Sequence, residues 1–234
     1  MDKTKVFLKY SLIAQRDAKD VMEKIQKTIQ WKDNCTVLDV GCGPGNNTHD
    51  VLFPKIPKLK NLVGVDRLGD MIKYANENYR NGSSIDFKEM DIVNVNVSQT
   101  DYENYFDHVF SFYCLHFIGE QELALKNIYK LTKPGGDFFF TCTVQCNLFE
   151  IVAYLANTTI WNKYVRNHNK FTCPYQFSTD PKRDIQKVLQ NVGFNVLHTS
   201  AEPKNIKIPL NIFTEMIVSH SPLDIPMDVA HQEE

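Results

Sequence analysis

Four short stretches of this 234-residue chain carry residues whose types and spacing could do chemistry together. The first is Asp39-Val40-Gly41-Cys42-Gly43-Pro44-Gly45, a glycine-rich loop headed by a carboxylate. Its glycines, Gly41, Gly43 and Gly45, permit a tight turn and a close approach of backbone to ligand. The second and third are single carboxylates, Asp66 and Asp91, each closing an apolar run. Asp66 could accept both hydroxyls of a ribose. Asp91 could accept the amino group of an adenine, with the adjacent Ile92 packed on the ring. The fourth is Ser111-Phe112-Tyr113-Cys114-Leu115-His116. Its imidazole is the best base available for a hydroxyl or amine nucleophile, because an unperturbed histidine titrates near ~6.5.

Each of these residues also has a plain structural reading. The glycines could simply shape a strand-to-helix turn, Asp66 could cap a helix, and Asp91 could be a turn residue. His116 could be a satisfied core histidine. Nicotinamide enzymes share a glycine-rich loop, so the loop alone decides little. Two details point instead to S-adenosylmethionine as cofactor. The loop runs Gly-x-Gly-x-Gly into Asn46-Asn47 and misses the dinucleotide spacing. The two later aspartates suit an adenosine that carries no pyrophosphate.

The elements that must position these residues follow from periodicity. Ala14, Ala18, Val21, Met22, Ile25 and Ile29 recur at helical spacing and predict a helix ending near Trp31. Strands are predicted at Thr36–Val40, Asn61–Val65, Ile85–Met90, Phe106–Phe112 and Asp137–Thr143, and a late one at Phe194–Ser200. Helices are predicted at Asn47–Phe53, Asp70–Asn78, Glu120–Leu131 and Pro181–Val192, with Pro134-Gly135-Gly136 as a turn. Strands alternating with helices imply an α/β fold, a doubly wound and mostly parallel sheet. In such a sheet ligands bind beyond the carboxyl ends of the strands, and all four stretches fall there. The aromatic, irregular run from Leu148 to Phe177 breaks the rhythm and reads as a substrate cover. The expected organisation is one domain over 1–234: a helical cap at 1–32, a cofactor-binding core at 33–145, a cover at 146–180, and the rest of the sheet and helices at 181–234.

Composition narrows the partners. The net charge is −2, so no basic excess argues for a nucleic-acid substrate. No run approaches the ~20 apolar residues of a membrane-spanning helix. The chain opens without a signal-peptide pattern. Its six cysteines form no CxxC pair, so no metal site is expected, and reduced thiols in a cytoplasmic protein are. The oligomeric state is not legible.

The run Val37-Leu38-Asp39-Val40-Gly41-Cys42-Gly43-Pro44-Gly45 resembles the first motif of class I methyltransferases. A narrower resemblance, to the insect juvenile hormone acid (farnesoic acid) methyltransferases, runs nearly end to end. It rests on Gln15-Arg16-Asp17-Ala18, Met71-Ile72-Lys73-Tyr74-Ala75, Pro174-Tyr175 and Val192-Gly193-Phe194, and most specifically on Phe106–His116. The resemblance implies a Rossmann-like fold of the class I type. It implies methyl transfer from S-adenosylmethionine to the carboxylate of a small apolar isoprenoid acid. Gly41, Asp66, Asp91 and Ile92 would then contact the cofactor, and Phe112 would lie near its methionine end.

Three departures stand out. The family's tryptophan after the histidine is Phe117 here, without an indole N–H to donate. The family's substrate glutamine position is Ala14, and the glutamine sits one place later at Gln15, a rotation of ~100° on a helix. The chain stops before the family's last strand, and nothing strand-like follows Ser219. A carboxylate nucleophile is ionised at neutral pH, because its unperturbed pKa is about 4. No general base is then needed, and alignment can supply ~7–11 kcal/mol. A buried carboxylate does need donors. The candidates are Gln15 and His116, with Tyr113, and Phe117 and Trp161 would pack on the substrate. Phe7, Tyr10, Leu148, Phe149, Val152, Tyr164, Phe213 and Met216 could line an apolar pocket or be ordinary core. The departures keep a second reading open, a cofactor-binding paralogue with impaired turnover; a methyltransferase acting on another small molecule is a further one. A nicotinamide oxidoreductase is disfavoured by the loop spacing and Asp91.

Overall fold

The structure, a computed structural model, describes residues 4, 7–8, 11–82, 84–163, 172–207 and 209, without the side chains of Leu12 and Ile13. Tyr10, Tyr164, Phe171, Phe213, Met216 and the segment after Ser219 lie outside the described residues.

Two strands are buried along their whole length, β1 (Cys35–Val40) and β4 (Phe106–Phe112). Strands buried on both sides in this way belong in the middle of a parallel sheet with both faces covered. It is there that they lie: with β2 (Leu59–Asp66), β3 (Ile85–Glu89) and β5 (Thr132–Thr141) they form a five-stranded parallel sheet of order β3-β2-β1-β4-β5. The order reverses between β1 and β4, which opens the ligand crevice at their carboxyl ends.

One face is covered by α1 (Leu12–Ile25) and α2 (Gly69–Asn78). Ala18, Met22, Ile72 and Ala75 pack there on Val37, Leu62 and Phe110. The other is covered by α3 (Gln121–Leu131) and α5 (Pro181–Val192), through Leu125, Ile128, Ile185 and Leu189. Asp180 caps α5 by accepting the Arg183 N–H at 3.0 Å, and Gly193 at φ 118° ends it. A further helix, α4 (Asn147–Ala156), stands in the run read as irregular cover. No described helix is long and apolar enough to cross a membrane.

Several boundaries differ from expectation for local reasons. The first helix stops at Ile25, well short of Trp31, because the Thr28 hydroxyl and N–H both turn back to the Ile25 carbonyl. Trp31 instead packs edge-on to His108, with ring centres 4.9 Å apart. The helix expected at Asn47–Phe53 is a wide π-turn, Thr48–Leu52, followed by a 3-10 turn, Phe53–Lys55, where Pro54 has no N–H to give. The turn expected at Pro134-Gly135-Gly136 is absorbed into β5 as an irregularity, and Gly135 takes φ 71° there. The late strand at Phe194–Ser200 does not form. Its leading ring packs on Tyr129 and Phe138 at 5.0 and 5.5 Å, and Leu197 is 84% exposed. Phe194 and Val196 are partly buried against the core in a segment that pairs with no strand.

Candidate active site

The glycine loop leaves β1 by donating the Gly41 and Cys42 N–H groups to the Val65 carbonyl, at 2.8 and 3.0 Å. Gly41 takes φ 74°, and a Cβ there would collide with the Cys114 side chain. Gly45 takes φ 87°, and a Cβ would lie 2.8 Å from the Phe87 ring. Both are glycine for packing as well as for conformation. Gly43 is different. A Cβ there would meet nothing nearer than the Phe7 ring at 3.7 Å, and its N–H donates to Asp66 Oδ2 at 3.0 Å. This part of the loop is the open cradle. The neighbouring Asn46 amide donates to Ser11 Oγ at 3.3 Å, which brings the start of α1 over the loop.

The carboxylates differ in their surroundings. Asp66 accepts the Leu68 N–H at 2.9 Å as well as Gly43, yet burial outweighs these bonds and raises its pKa. Asp39 is 1% exposed; its Oδ2 accepts the Thr48 hydroxyl at 2.6 Å. Burial, with the Asp66 charge adding, pushes it up to about 7. It braces the loop from beneath. Asp91 is raised by burial, but the Asn94 amide (2.8 Å), the Val93 N–H (2.9 Å) and the Arg67 charge outweigh that and hold it below the usual range. Ile92 buries its side chain in the core with Val40 and Val63, and its carbonyl accepts the Asn127 amide at 2.8 Å.

The residues at these strand ends fit the expected cofactor. Asp39 Oδ1 and Asn47 Oδ1 are buried acceptors without a partner among the described residues, and Asp66 and Asp91 add two carboxylates. An acceptor-rich set suits a molecule whose reactive end is cationic and whose adenosine offers hydroxyl and amine donors.

The end of β4 carries the second half of the site. Phe112 is buried against Phe110, with ring centres 6.0 Å apart. Tyr113 takes the left-handed φ of 56°, uncommon for a large side chain. Its N–H donates to the Thr141 carbonyl at 2.9 Å and its hydroxyl to Asp17 Oδ2 at 2.5 Å. Burial and the Asp17 carboxylate raise its pKa. One turn further, burial holds His116 down at about 4, and its Nδ1 has no partner among the described residues. The imidazole lies 4.0 Å from the Phe117 ring, 6.1 Å from Tyr113 and 6.3 Å from Phe149, between centres.

Tyr113, His116 and Phe117 are therefore together, as expected. Trp161 packs instead in a small cluster around Val152 with Leu148 and Leu155 of α4. Gln15 is half-buried on α1; α1 reaches Tyr113 through Asp17, about 200° around the helix from Gln15. Sequence reasoning gave Asp17 no role, although a carboxylate beside Ala18 and Met22 on an apolar face was a signal. It is 2% exposed and also binds Arg16 and Lys204, at 3.0 and 2.8 Å. Thr141, whose buried hydroxyl beside Phe112 lacks a partner among the described residues, and Lys204 had no such signal. No group of acidic, cysteine or histidine side chains among the described residues could hold a metal.

Residues 31–207 match the family described as methyltransferase domain. The chain belongs to that family. It is 30% identical over 232 residues to juvenile hormone acid O-methyltransferase of Bombyx mori, an alignment covering 98% of this chain and 82% of that protein. It is 30% identical over 197 residues to the Drosophila melanogaster protein of the same name, covering 83% and 66%. The fold matches the methyltransferase bound to the Trm112 activator of Haloferax volcanii, with a TM-score of 0.57 and 15% identity over 89% of each chain. This is a class I S-adenosylmethionine-dependent methyltransferase, resembling the juvenile hormone acid methyltransferases. In it, the glycine loop with Asp66 and Asp91 lines one half of the crevice, and the end of β4 lines the other.

Proposed function

We propose that this methyltransferase esterifies the carboxylate of a small apolar isoprenoid acid, such as farnesoic or juvenile hormone acid. The observation that carries the reading is the lack of a poised base around the end of β4, among the described residues. His116 is a weak base at about 4, Asp17 is held below the usual carboxylate range by Lys204, Tyr113 and Arg16 against the effect of burial, and Tyr113 is raised. A hydroxyl or amine nucleophile would need a proton acceptor there. A carboxylate arrives already ionised. The names of the two insect relatives point to the same acceptor.

When bound, the cofactor supplies an electrophilic methyl group on a sulfonium. The chain's own residues would do the rest. Gly43 and Asp66 hold the nucleoside end, with Asp91 beyond. His116, neutral at pH 7 and able to carry its proton on Nδ1, donates to the carboxylate. Phe112, Phe117 and Phe149 exclude water from the apolar body of the acid. Gln15 and Trp161 remain candidates for the outer part of that pocket. The work is positioning and desolvation rather than proton transfer. Six free thiols accord with a cytoplasmic, reducing location.

The test is mass-spectrometric detection of methyl farnesoate from farnesoic acid and S-adenosylmethionine, alongside calorimetric binding of S-adenosylhomocysteine. Ester formation is expected. Binding without ester from any isoprenoid acid would overturn the substrate reading and favour a paralogue with impaired turnover, consistent with Phe117 and Ala14.

A further inference from the structure

We propose that Asp17 is a positioning residue for methyl transfer: it fixes the Tyr113 hydroxyl at the end of β4, and Lys204 completes the link from the segment beyond α5. The inference rests on the reading of Tyr113 as part of the substrate wall.

A large residue in the left-handed region is strained and persists where its surroundings over-determine it. Two bonds do so at Tyr113. The N–H to Thr141 sets the backbone, and the hydroxyl to Asp17 sets the side chain. A carboxylate as buried as Asp17 needs charged or hydrogen-bonding partners. It has them from three parts of the chain. Arg16 comes from its own helix, Tyr113 from the end of β4 and Lys204 from the segment after α5. A second ion pair, Lys24 to Glu202 at 3.4 Å, lays that segment along α1. One carboxylate therefore joins the helical cap, the C-terminal segment and the strand end that carries the acceptor half of the site.

The link has a chemical consequence. Tyr113 has one proton, and it is committed to Asp17. The phenol oxygen is left as an acceptor, so Tyr113 does not donate to a substrate carboxylate. It bounds the carboxylate's position as a fixed wall, and donation falls to His116. Asp17 touches neither cofactor nor substrate and acts through Tyr113.

The test uses the full chain with Asp17→Asn, Lys204→Met and Tyr113→Phe. Lys204→Met keeps the apolar stem of a side chain that is 39% exposed, and carries the test if Asp17→Asn does not fold. Each protein is assayed for S-adenosylhomocysteine affinity, for kcat and KM on farnesoic acid, and for tyrosine ionisation by ultraviolet difference against the matching Tyr113→Phe protein. Expected for Asp17→Asn and Lys204→Met are unchanged cofactor-product affinity and a kcat lower by about 10- to 100-fold with little change in KM, the signature of misplacement. In Asp17→Asn the Tyr113 phenolate should emerge at a lower pH than in the parent, while burial, the larger cause of the raised pKa, still keeps it above the ordinary ~10. Unchanged kcat in both variants overturns the proposal. So does a loss of cofactor affinity that parallels the loss of kcat. If the parent binds S-adenosylhomocysteine but makes no ester, the acid reading fails alone. The Asp17 link is then judged by the titration, and identical Tyr113 ionisation with and without the Asp17 charge overturns it.

Discussion

Asp66 at the end of β2 accepts the Gly43 N–H at 3.0 Å with one oxygen and the Leu68 N–H at 2.9 Å with the other. A single side chain thus sets the loop after β1 against the turn after β2, and leaves lone pairs for a ligand. Asp66→Ala frees both N–H groups and removes the acceptor. A hydrogen bond to a charged group is worth about 1.5–3 kcal/mol, and every ~1.4 kcal/mol is tenfold in affinity. S-adenosylhomocysteine affinity should fall by about 10- to 100-fold in calorimetry, and by less in Asp66→Asn. Unchanged affinity would remove Asp66 from the cofactor site.

Asp39 predicts an opposition between stability and binding. Burial raises its pKa from 3.8 to about 7. The folded state then holds this proton more tightly than the unfolded one, so the associated stability is complete below pH ~4 and is lost as pH rises through ~7. About three pH units correspond to at most ~4 kcal/mol. Asp39→Asn, neutral at every pH, should melt several degrees above the parent at pH 8, since a chain this size shifts by roughly 2–4 °C per kcal/mol. The gap should close toward pH 4, while S-adenosylhomocysteine binding weakens. A gap that instead widens in acid would contradict a protonatable buried Asp39.

The positions of the five strands were legible because each is a short, largely apolar run, and four of them are followed by a chemically marked stretch. The glycine loop with Asp66 and the cluster of Tyr113, His116 and Phe117 follows from that sheet. What was not legible depended on contacts distant in sequence. Nothing in Phe194–Ser200 says that Phe194 packs on Tyr129 and Phe138 rather than pairing as a strand. The early end of α1 was written locally, in Thr28, and was outvoted by the apolar period running on to Ile29. Nothing near Asp17 in the sequence marks its role as a link, since its partners Tyr113 and Lys204 lie 96 and 187 positions away, 113 − 17 and 204 − 17.

His116 makes a prediction about pH. Its pKa is lowered from 6.5 to about 4 by burial. The unfolded chain therefore takes up the proton first, and the stability this residue contributes is present above pH ~6.5 and lost as pH falls toward ~4. The profile of kcat/KM should accordingly show no limb near ~6.5. His116→Phe removes a ring nitrogen that is buried without a partner among the described residues, so it should melt at or above the parent at pH 7, with a larger gain at pH 5. Its kcat/KM on farnesoic acid should fall by about tenfold or more, as expected where a polar group is kept for function at a cost in stability. A limb near ~6.5 that disappears in His116→Phe would instead make this residue a general base, and the nucleophile something other than a carboxylate.

Phe117 offers the complementary gain of function. Its ring centre lies 4.0 Å from that of His116, and it is 38% exposed, so a larger ring has an outlet toward solvent. Phe117→Trp places an indole N–H, a donor that phenylalanine lacks, beside the imidazole proposed to hold the carboxylate. One more hydrogen bond to a charged group is worth about 1.5–3 kcal/mol, so kcat/KM on farnesoic acid should rise by about tenfold or more. S-adenosylhomocysteine affinity should stay as in the parent, because the ring stands at the end of β4 while the proposed cofactor contacts lie at the ends of β1, β2 and β3. Phe117→Leu separates packing from donation: it should lose activity where the ring shields the acid from water and gain nothing. If Phe117→Trp folds, binds S-adenosylhomocysteine and shows no gain on any isoprenoid acid, the carboxylate does not sit beside this ring, and the acceptor site must be sought elsewhere along the end of β4.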